Sequence, residues 1–174
     1  MKRFVTLAAA MLLLSGSLFA QRFGYINSEE ILQQIPEYQE AQQEIEDISQ
    51  QWQAELEKKY QAIEEMYREY QAQEVLLPED VKKERQEAIF QAEREAKEYR
   101  EKKFGYDGEL FALQDAKVQP IQERLFRAVE ATAKRKNINF IFDKAGEVTW
   151  LYTDAKYDLK ADVLEELGID PENE

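Results

Sequence analysis

From Tyr38 to Lys117 apolar residues recur at spacings of three and four in a polar background. In the first half the stripe is Tyr38, Ala41, Ile45, Ile48, Trp52, Leu56, Ile63, Tyr67 and Tyr70, with one wider gap; in the second it is Val81, Ala88, Ala92, Ala96, Tyr99, Tyr106, Leu110 and Leu113. This is the heptad-like spacing of a coiled-coil seam. The halves meet at Val75-Leu76-Leu77-Pro78-Glu79-Asp80. Proline has no N–H and a fixed φ, so Pro78 suits a helix start and marks a tip near 75–80. The pattern predicts an antiparallel helical hairpin over 37–117, each arm reaching about 57 Å, longer than a helix of a compact domain.

Outside this segment the period changes. Phe23-Gly24-Tyr25-Ile26 reads as a strand, and Asn27 with Glu30 three residues on resembles a capping box that starts a short helix before Pro36 opens the long arm. After the arm, Lys117-Val118-Gln119-Pro120 interrupts or kinks the helix, and Ile121, Leu125, Ala128, Val129 and Thr132 resume one apolar face. Ile138, Phe140, Ile141 and Phe142, a turn through Asp143-Lys144-Ala145-Gly146, then Val148, Trp150, Leu151 and Tyr152 predict a β-hairpin with apolar residues on both faces. Asp158 caps a last short helix carrying Leu159, Val163, Leu164 and Leu167, closed by Gly168 and Pro171. Residues 21–36 and 118–174 are thus expected to form a small α+β body at the base of the helical hairpin. Three short strands leave edges and a face open, so self-association through Tyr25, Ile138, Phe140, Phe142, Val148, Trp150 and Leu151 is expected, making a homo-oligomer.

The chain begins with Met1-Lys2-Arg3, an apolar run from Phe4 to Leu14 and small residues at 15–17, which reads as a secretory signal peptide over 1–20. The run is too short to span a bilayer, so no stable membrane insertion is expected. Taking Lys2 and Arg3 from the 23 basic residues leaves 21 against 36 acidic, a net charge of −15. No nucleic-acid partner is therefore expected. The charge is unevenly placed. Residues 38–77 hold three basic against ten acidic residues, a net of −7, and residues 78–117 hold nine against eleven, a net of −2. The arms complement one another, and Glu64–Arg68, Glu79–Lys83, Glu93–Lys97 and Glu98–Lys102 add pairs of about 0.2–0.5 kcal/mol along each helix.

Candidate chemistry is sparse. With no His and no Cys, the commonest bases, thiol nucleophiles, zinc ligands and disulfides are missing. Asp143, Asp154 and Asp158 lie in turns at a spacing that matches no calcium loop, so turn formation is the preferred reading. No enzyme, cofactor or metal site is expected.

The strand Phe23-Gly24-Tyr25-Ile26-Asn27-Ser28-Glu29, the helical hairpin, Val118-Gln119-Pro120-Ile121-Gln122-Glu123-Arg124, Ile141-Phe142-Asp143-Lys144 and Asp158-Leu159-Lys160-Ala161-Asp162-Val163-Leu164 together resemble the Skp (OmpH) family of periplasmic chaperones. The resemblance implies a homotrimer whose strands build a shared barrel-like core and whose helical arms enclose a cavity. It also implies a periplasmic location and ATP-independent holding of unfolded outer-membrane β-barrel proteins. One departure matters: family members are often basic, whereas this chain is acidic, so attraction of acidic clients does not carry over.

For such a role Phe90, Phe104 and Phe111, spaced fourteen and seven apart, are candidate client-binding residues on one helix face, joined by Tyr60 and Tyr67. The competing reading packs these rings into the hairpin itself. Gly105 and Gly108 interrupt the same segment; they either let the arm bend or relieve crowding beside Phe104 and Tyr106. A rival function is an exported coiled-coil adaptor that docks a folded envelope partner through Val75, Leu76 and Leu77 at the tip.

Overall fold

The computed structural model describes residues 22–146 and 149–170. The expected leader and Val148 lie outside the described residues. Seven elements follow in order: β1 (Phe23–Ile26), α1 (Ser28–Leu32), α2 (Pro36–Gln73), α3 (Glu79–Phe104), α4 (Glu109–Lys136), β2 (Phe140–Asp143) and α5 (Lys160–Leu167), with short 3-10 turns at Glu74–Leu76 and Ala155–Tyr157. The fold is mostly helical, with a two-stranded parallel sheet. Two compact units form, one of residues 32–124 and one of 22–31 with 125–170.

In the first unit α2 and α3 pack side by side. Pro36 opens α2 and Pro78 caps α3, as their missing N–H groups favour. Cross-links from α2 fix its sense against the returning chain: to α3 through Tyr70–Gln86, Tyr67–Glu93 and Glu55–Tyr99, and to α4 through Glu44–Lys117 and Glu37–Arg124. As the number falls on α2 it rises on the partner, so the pairing is antiparallel. Between these links Ala41, Ile45 and Ile63 of α2 and Ile89 and Ala96 of α3 are buried.

The seam departs from the sequence pattern in three places. Ile89, not Ala88, is buried; from it the stripe runs through Ala92, Ala96, Tyr99 and Lys103 at alternating steps of three and four. Tyr106 is 92% exposed because α3 has already ended at Phe104. Pro120 does not interrupt the helix: α4 continues unbroken from Glu109 to Lys136. The break lies instead at Gly105–Gly108, where a Cβ on Gly105 would sit 2.3 Å from the Glu101 carbonyl oxygen and one on Gly108 2.9 Å from backbone atoms of Gly105 and Lys103. Close backbone approach thus requires both glycines.

Of the expected ion pairs along the helices, Glu64–Arg68 forms at 3.0 Å. The other three do not, because better-placed groups take the same partners. Glu79 holds Lys82 at 2.8 Å, Glu93 accepts from the Tyr67 hydroxyl at 2.9 Å, and Lys102 turns to Glu109 at 3.4 Å. An exposed pair contributes too little to resist such competition.

In the second unit Asn27 caps α1, accepting from the Glu30 N–H at 3.3 Å while its amide donates to the Glu30 carboxylate at 2.7 Å. Asn137, with φ of 52°, ends α4 in the left-handed conformation, and the chain enters β2. There it pairs in parallel with β1, Phe23 opposite Phe140 and Ile26 opposite Asp143. The second edge of β1 receives the chain before α5: the Leu159 N–H donates to the Tyr25 carbonyl at 3.0 Å. Tyr25, Ile26, Ile31, Leu125, Ala128, Leu159, Val163 and Leu164 make the core. Arg135 and Lys136 of α4 hold α5 through Asp162, Glu165 and Glu166.

The predicted β-hairpin over 138–152 is therefore corrected. β2 pairs with β1, and Trp150, Leu151 and Tyr152 form no strand. The Asp143 carboxylate accepts from the Ser28 N–H, the Ser28 hydroxyl and the Ala145 N–H, so the end of β2 is tied to the start of α1. Trp150 instead lays its ring edge-on to Phe142 at 5.5 Å. No helix among the described residues is long and apolar enough to cross a membrane.

The glycine break yields a prediction. Gly105→Ala should lower stability by about 1–3 kcal/mol, the usual effect of forcing atoms into a filled space, seen as a lower urea midpoint at unchanged slope. An unchanged midpoint would show that the break accepts a side chain.

Candidate functional site

The described residues contain no group of His, Cys, Asp and Glu placed to hold a metal ion. The turn aspartates are committed to the backbone: Asp154 accepts from the Lys156 N–H at 3.1 Å and Asp158 from the Lys160 N–H at 2.9 Å, each two residues on. Burial pushes the Asp143 carboxyl up, but its hydrogen bonds from Ser28 and Ala145 outweigh this and hold it below the usual range. Among the described residues the surface offers exposed apolar area in four clusters, and at Phe126 of α4.

On the helical hairpin a groove of about 650 Å³ lies between α2 and α3, lined by Tyr67, Tyr70, Lys83, Gln86, Glu87, Ile89, Phe90 and Glu93. Phe90 is 57% exposed there, with the Arg94 guanidinium 5.4 Å from its ring centre. The Tyr67 phenol is raised above its ordinary value, chiefly because its hydroxyl donates to Glu93. Tyr60, also exposed, lies seven residues before Tyr67 on α2.

The second place adjoins the glycine break. Tyr106 and Phe111 stack at 6.4 Å and both face solvent. Phe104 behaves differently: it ends α3 with its ring edge-on to Trp52 at 6.3 Å. Phe111 belongs to α4, so the seven-residue spacing from Phe104 to Phe111 crosses a break and the shared helix face predicted for them does not exist. Phe90, Phe104 and Phe111 are thus in three separate settings.

Around the break polar groups close over Trp52. The Lys103 ammonium lies 4.2 Å from the Trp52 ring centre and 5.8 Å from that of Tyr99, and donates to Glu109. Glu109 is held below the ordinary carboxylate range by the hydrogen bond from Lys103, assisted by Lys102. Burial, together with the bond to Glu55, raises the Tyr99 phenol to about 12. Farther along, Arg124 grips Glu37 with two bonds of 2.8 and 3.1 Å and lowers its pKa to about 2.

The third place is the tip, where Val75 is 93% and Leu76 85% exposed, while Leu77 is half-buried. The fourth is the sheet. Phe23 stacks on Phe140 at 5.6 Å and on Phe142 at 6.2 Å, and all three remain exposed, as do Leu151 and Tyr152. Trp150 and Ile138 are half-buried. Tyr25, expected to serve self-association, is buried under its own chain with the Lys144 ammonium 4.9 Å from its ring centre. Val148 lies outside the described residues. The indole N–H of Trp150 is buried without a partner, beside a cavity of about 270 Å³ lined mostly by aromatic residues, Phe23, Tyr25 and Phe142 of the sheet with Trp150, Tyr152 and Tyr157.

Sequence reasoning missed Phe23, Phe126 and Tyr106 as exposed rings. For Phe126 a signal existed, since it falls off the stripe of Leu125, Ala128 and Thr132 that α4 buries. For Tyr106 none did, because the helix period placed it in the seam.

The Glu37–Arg124 grip gives a test with a defined sign. A carboxyl lowered in the folded state stabilises above its unfolded pKa, here about 4.5, and loses that contribution as pH falls toward 2. Carbon-13 NMR should place the Glu37 midpoint near 2 and return it toward 4.5 in Arg124→Gln. A midpoint near 4.5 in the unaltered chain would show that the grip is absent in solution.

A family model described as "Outer membrane protein (OmpH-like)" matches residues 22–167. No curated protein matches the chain. Among solved structures, the crystal structure of a candidate outer membrane chaperone (OmpH-like) from Caulobacter crescentus CB15 superimposes with a TM-score of 0.67. It covers 87% of this chain and 86% of its own at 12% identity. That likeness establishes a shared fold.

Proposed function

Because the chain belongs to the OmpH (Skp-like) family of outer membrane protein chaperones, we propose that it is a periplasmic holdase. It binds unfolded outer-membrane β-barrel proteins without ATP and keeps them from aggregating. The observation that carries this reading is the set of exposed rings on a polar scaffold: on the helical unit Tyr67 and Phe90 share the groove, Tyr60 lies two turns before Tyr67, and Tyr106 and Phe111 stack beside the glycine break. Each patch is small, so each holds an unfolded chain weakly, and several together hold it firmly while leaving release possible. No catalytic step is part of this reading, and neither metal nor nucleotide is required.

The proposed assembly is a homotrimer. It is favoured by the Phe23, Phe140 and Phe142 ladder, the outer edge of β2, Leu151 and Tyr152, an apolar strand face that a second copy would cover. The helical arms of three copies would then enclose a client between them. Export depends on the leader at 1–20, which removal would convert into a mature chain of net charge −15. That charge keeps a loaded assembly soluble.

A second reading rests on the tip. Val75 and Leu76 are more exposed than any ring in the groove, which suits an adaptor that docks one folded partner there. The two readings place binding in different residues.

Light scattering of the mature chain should give the mass of three copies, and the mass of one client more after a urea-unfolded outer-membrane β-barrel protein is diluted into it, with the mixture staying clear. Phe90→Ser combined with Phe111→Ser should let the client precipitate, whereas Leu76→Asp should not. A trimer that leaves the client to precipitate would overturn the holdase reading; loss of binding only in Leu76→Asp would favour the adaptor.

A further inference from the structure

We infer that the groove between α2 and α3 is a subsite for cation-bearing aromatic segments of an unfolded polypeptide, so that this chain selects basic stretches of its clients. The inference rests on the holdase reading and names what one of its patches prefers. Its occupant follows from charge and ring geometry.

Three features converge on that preference. The groove offers one exposed ring, Phe90, whose π face is already matched to a guanidinium, that of Arg94 at 5.4 Å. Its rim carries Glu87 and Glu93, and Glu93 is fixed in place by the Tyr67 hydroxyl at 2.9 Å. Beyond the rim, the net charge of −7 over residues 38–77 is spread along α2, and its part nearest Tyr67 and Tyr70 is Glu64, Glu65, Glu69 and Glu74 against Arg68, so an approaching cation meets an acidic stretch. An arginine or lysine arriving on an extended segment can stack on Phe90, while an aromatic neighbour fills the groove of about 650 Å³ beside Tyr67 and Tyr70. An acidic segment would face carboxylates on the rim and along α2.

Two cations of the protein oppose the ligand. Lys83 lines the groove, and Arg94 holds one face of Phe90, steadied by Gln91. Both act as internal competitors, and removing either should strengthen binding. Predictions of opposite sign at neighbouring positions separate charge selection from simple loss of surface.

The test uses the full mature chain and two labelled disordered peptides of equal length and aromatic content, one carrying Arg and the other Glu at every charged position. Fluorescence anisotropy at low salt should show the Arg peptide binding about two- to fivefold more tightly, the range that one exposed cation–π contact supplies. Phe90→Ala and Glu87→Gln should each shrink that advantage, Lys83→Gln and Arg94→Gln should enlarge it, and added salt should reduce it. Equal affinities, a preference for the Glu peptide, or an advantage untouched by Phe90→Ala would overturn the inference. If the chain keeps an unfolded barrel protein soluble but binds both peptides alike or neither, the inference alone falls. If it neither binds a peptide nor holds the client, the holdase reading falls with it.

Discussion

Two helices lying side by side can bury only one narrow stripe each, and most of this structure follows from that limit. On α2 and α3 the buried residues are Ala41, Ile45, Ile63, Ile89 and Ala96, few for helices of 38 and 26 residues. Packing of a thin seam has to be supplemented along its length. The supplement is polar: Tyr67 to Glu93, Gln86 to Tyr70 and Tyr99 to Glu55 bind α2 to α3 at intervals, and Lys117 to Glu44 and Arg124 to Glu37 continue the series from α4. Such exposed bonds stabilise only modestly one at a time, but they fix register where few apolar side chains can.

The same limit explains where apolar surface is left over. A ring one position off the stripe has nothing to pack against, so Phe90, beside buried Ile89, faces water. In a globular domain a further layer would cover it. Here the exposed rings are spread along the helices, and this is what a surface for transient apolar contacts requires. The background around these rings is acidic, and the groove beside Phe90 carries Glu87 and Glu93 on its rim.

At Gly105–Gly108 the seam is interrupted and rebuilt by different means. Backbone carbonyls approach where side chains would normally stand, and Lys103 bridges Trp52, Tyr99 and Glu109 across the gap. Cation–π and ion-pair contacts tolerate the irregular geometry that knobs-into-holes packing does not. The sheet shows a comparable economy. β1 is short, yet it is paired with β2 on one edge and bonded to Leu159 on the other, so Tyr25 and Ile26 are buried while the Phe23, Phe140 and Phe142 ladder is not.

The sequence by itself determined the features that depend on local rules. Proline at 36 and 78 placed the helix starts and the tip, three-four spacing gave the α2 stripe, Asn27 with Glu30 and Gly168 marked helix ends, and the absence of His and Cys removed most catalytic chemistry. Tertiary structure decided what depends on competition between partners. The pairing of β2 with a strand more than a hundred residues earlier cannot be read from a turn-like Asp143–Gly146, because the Asp143 carboxylate finds Ser28 only in the fold. Likewise the unbroken passage of α4 through Pro120 reverses what proline suggests locally, while the end of α3 at Phe104 goes with a close backbone approach at Gly105 that only glycine permits. Which rings face water was settled by the same break. It put Tyr106 outside the seam and Phe111 on a different helix from Phe104, and no periodicity along one chain records where a helix stops for the sake of its neighbour.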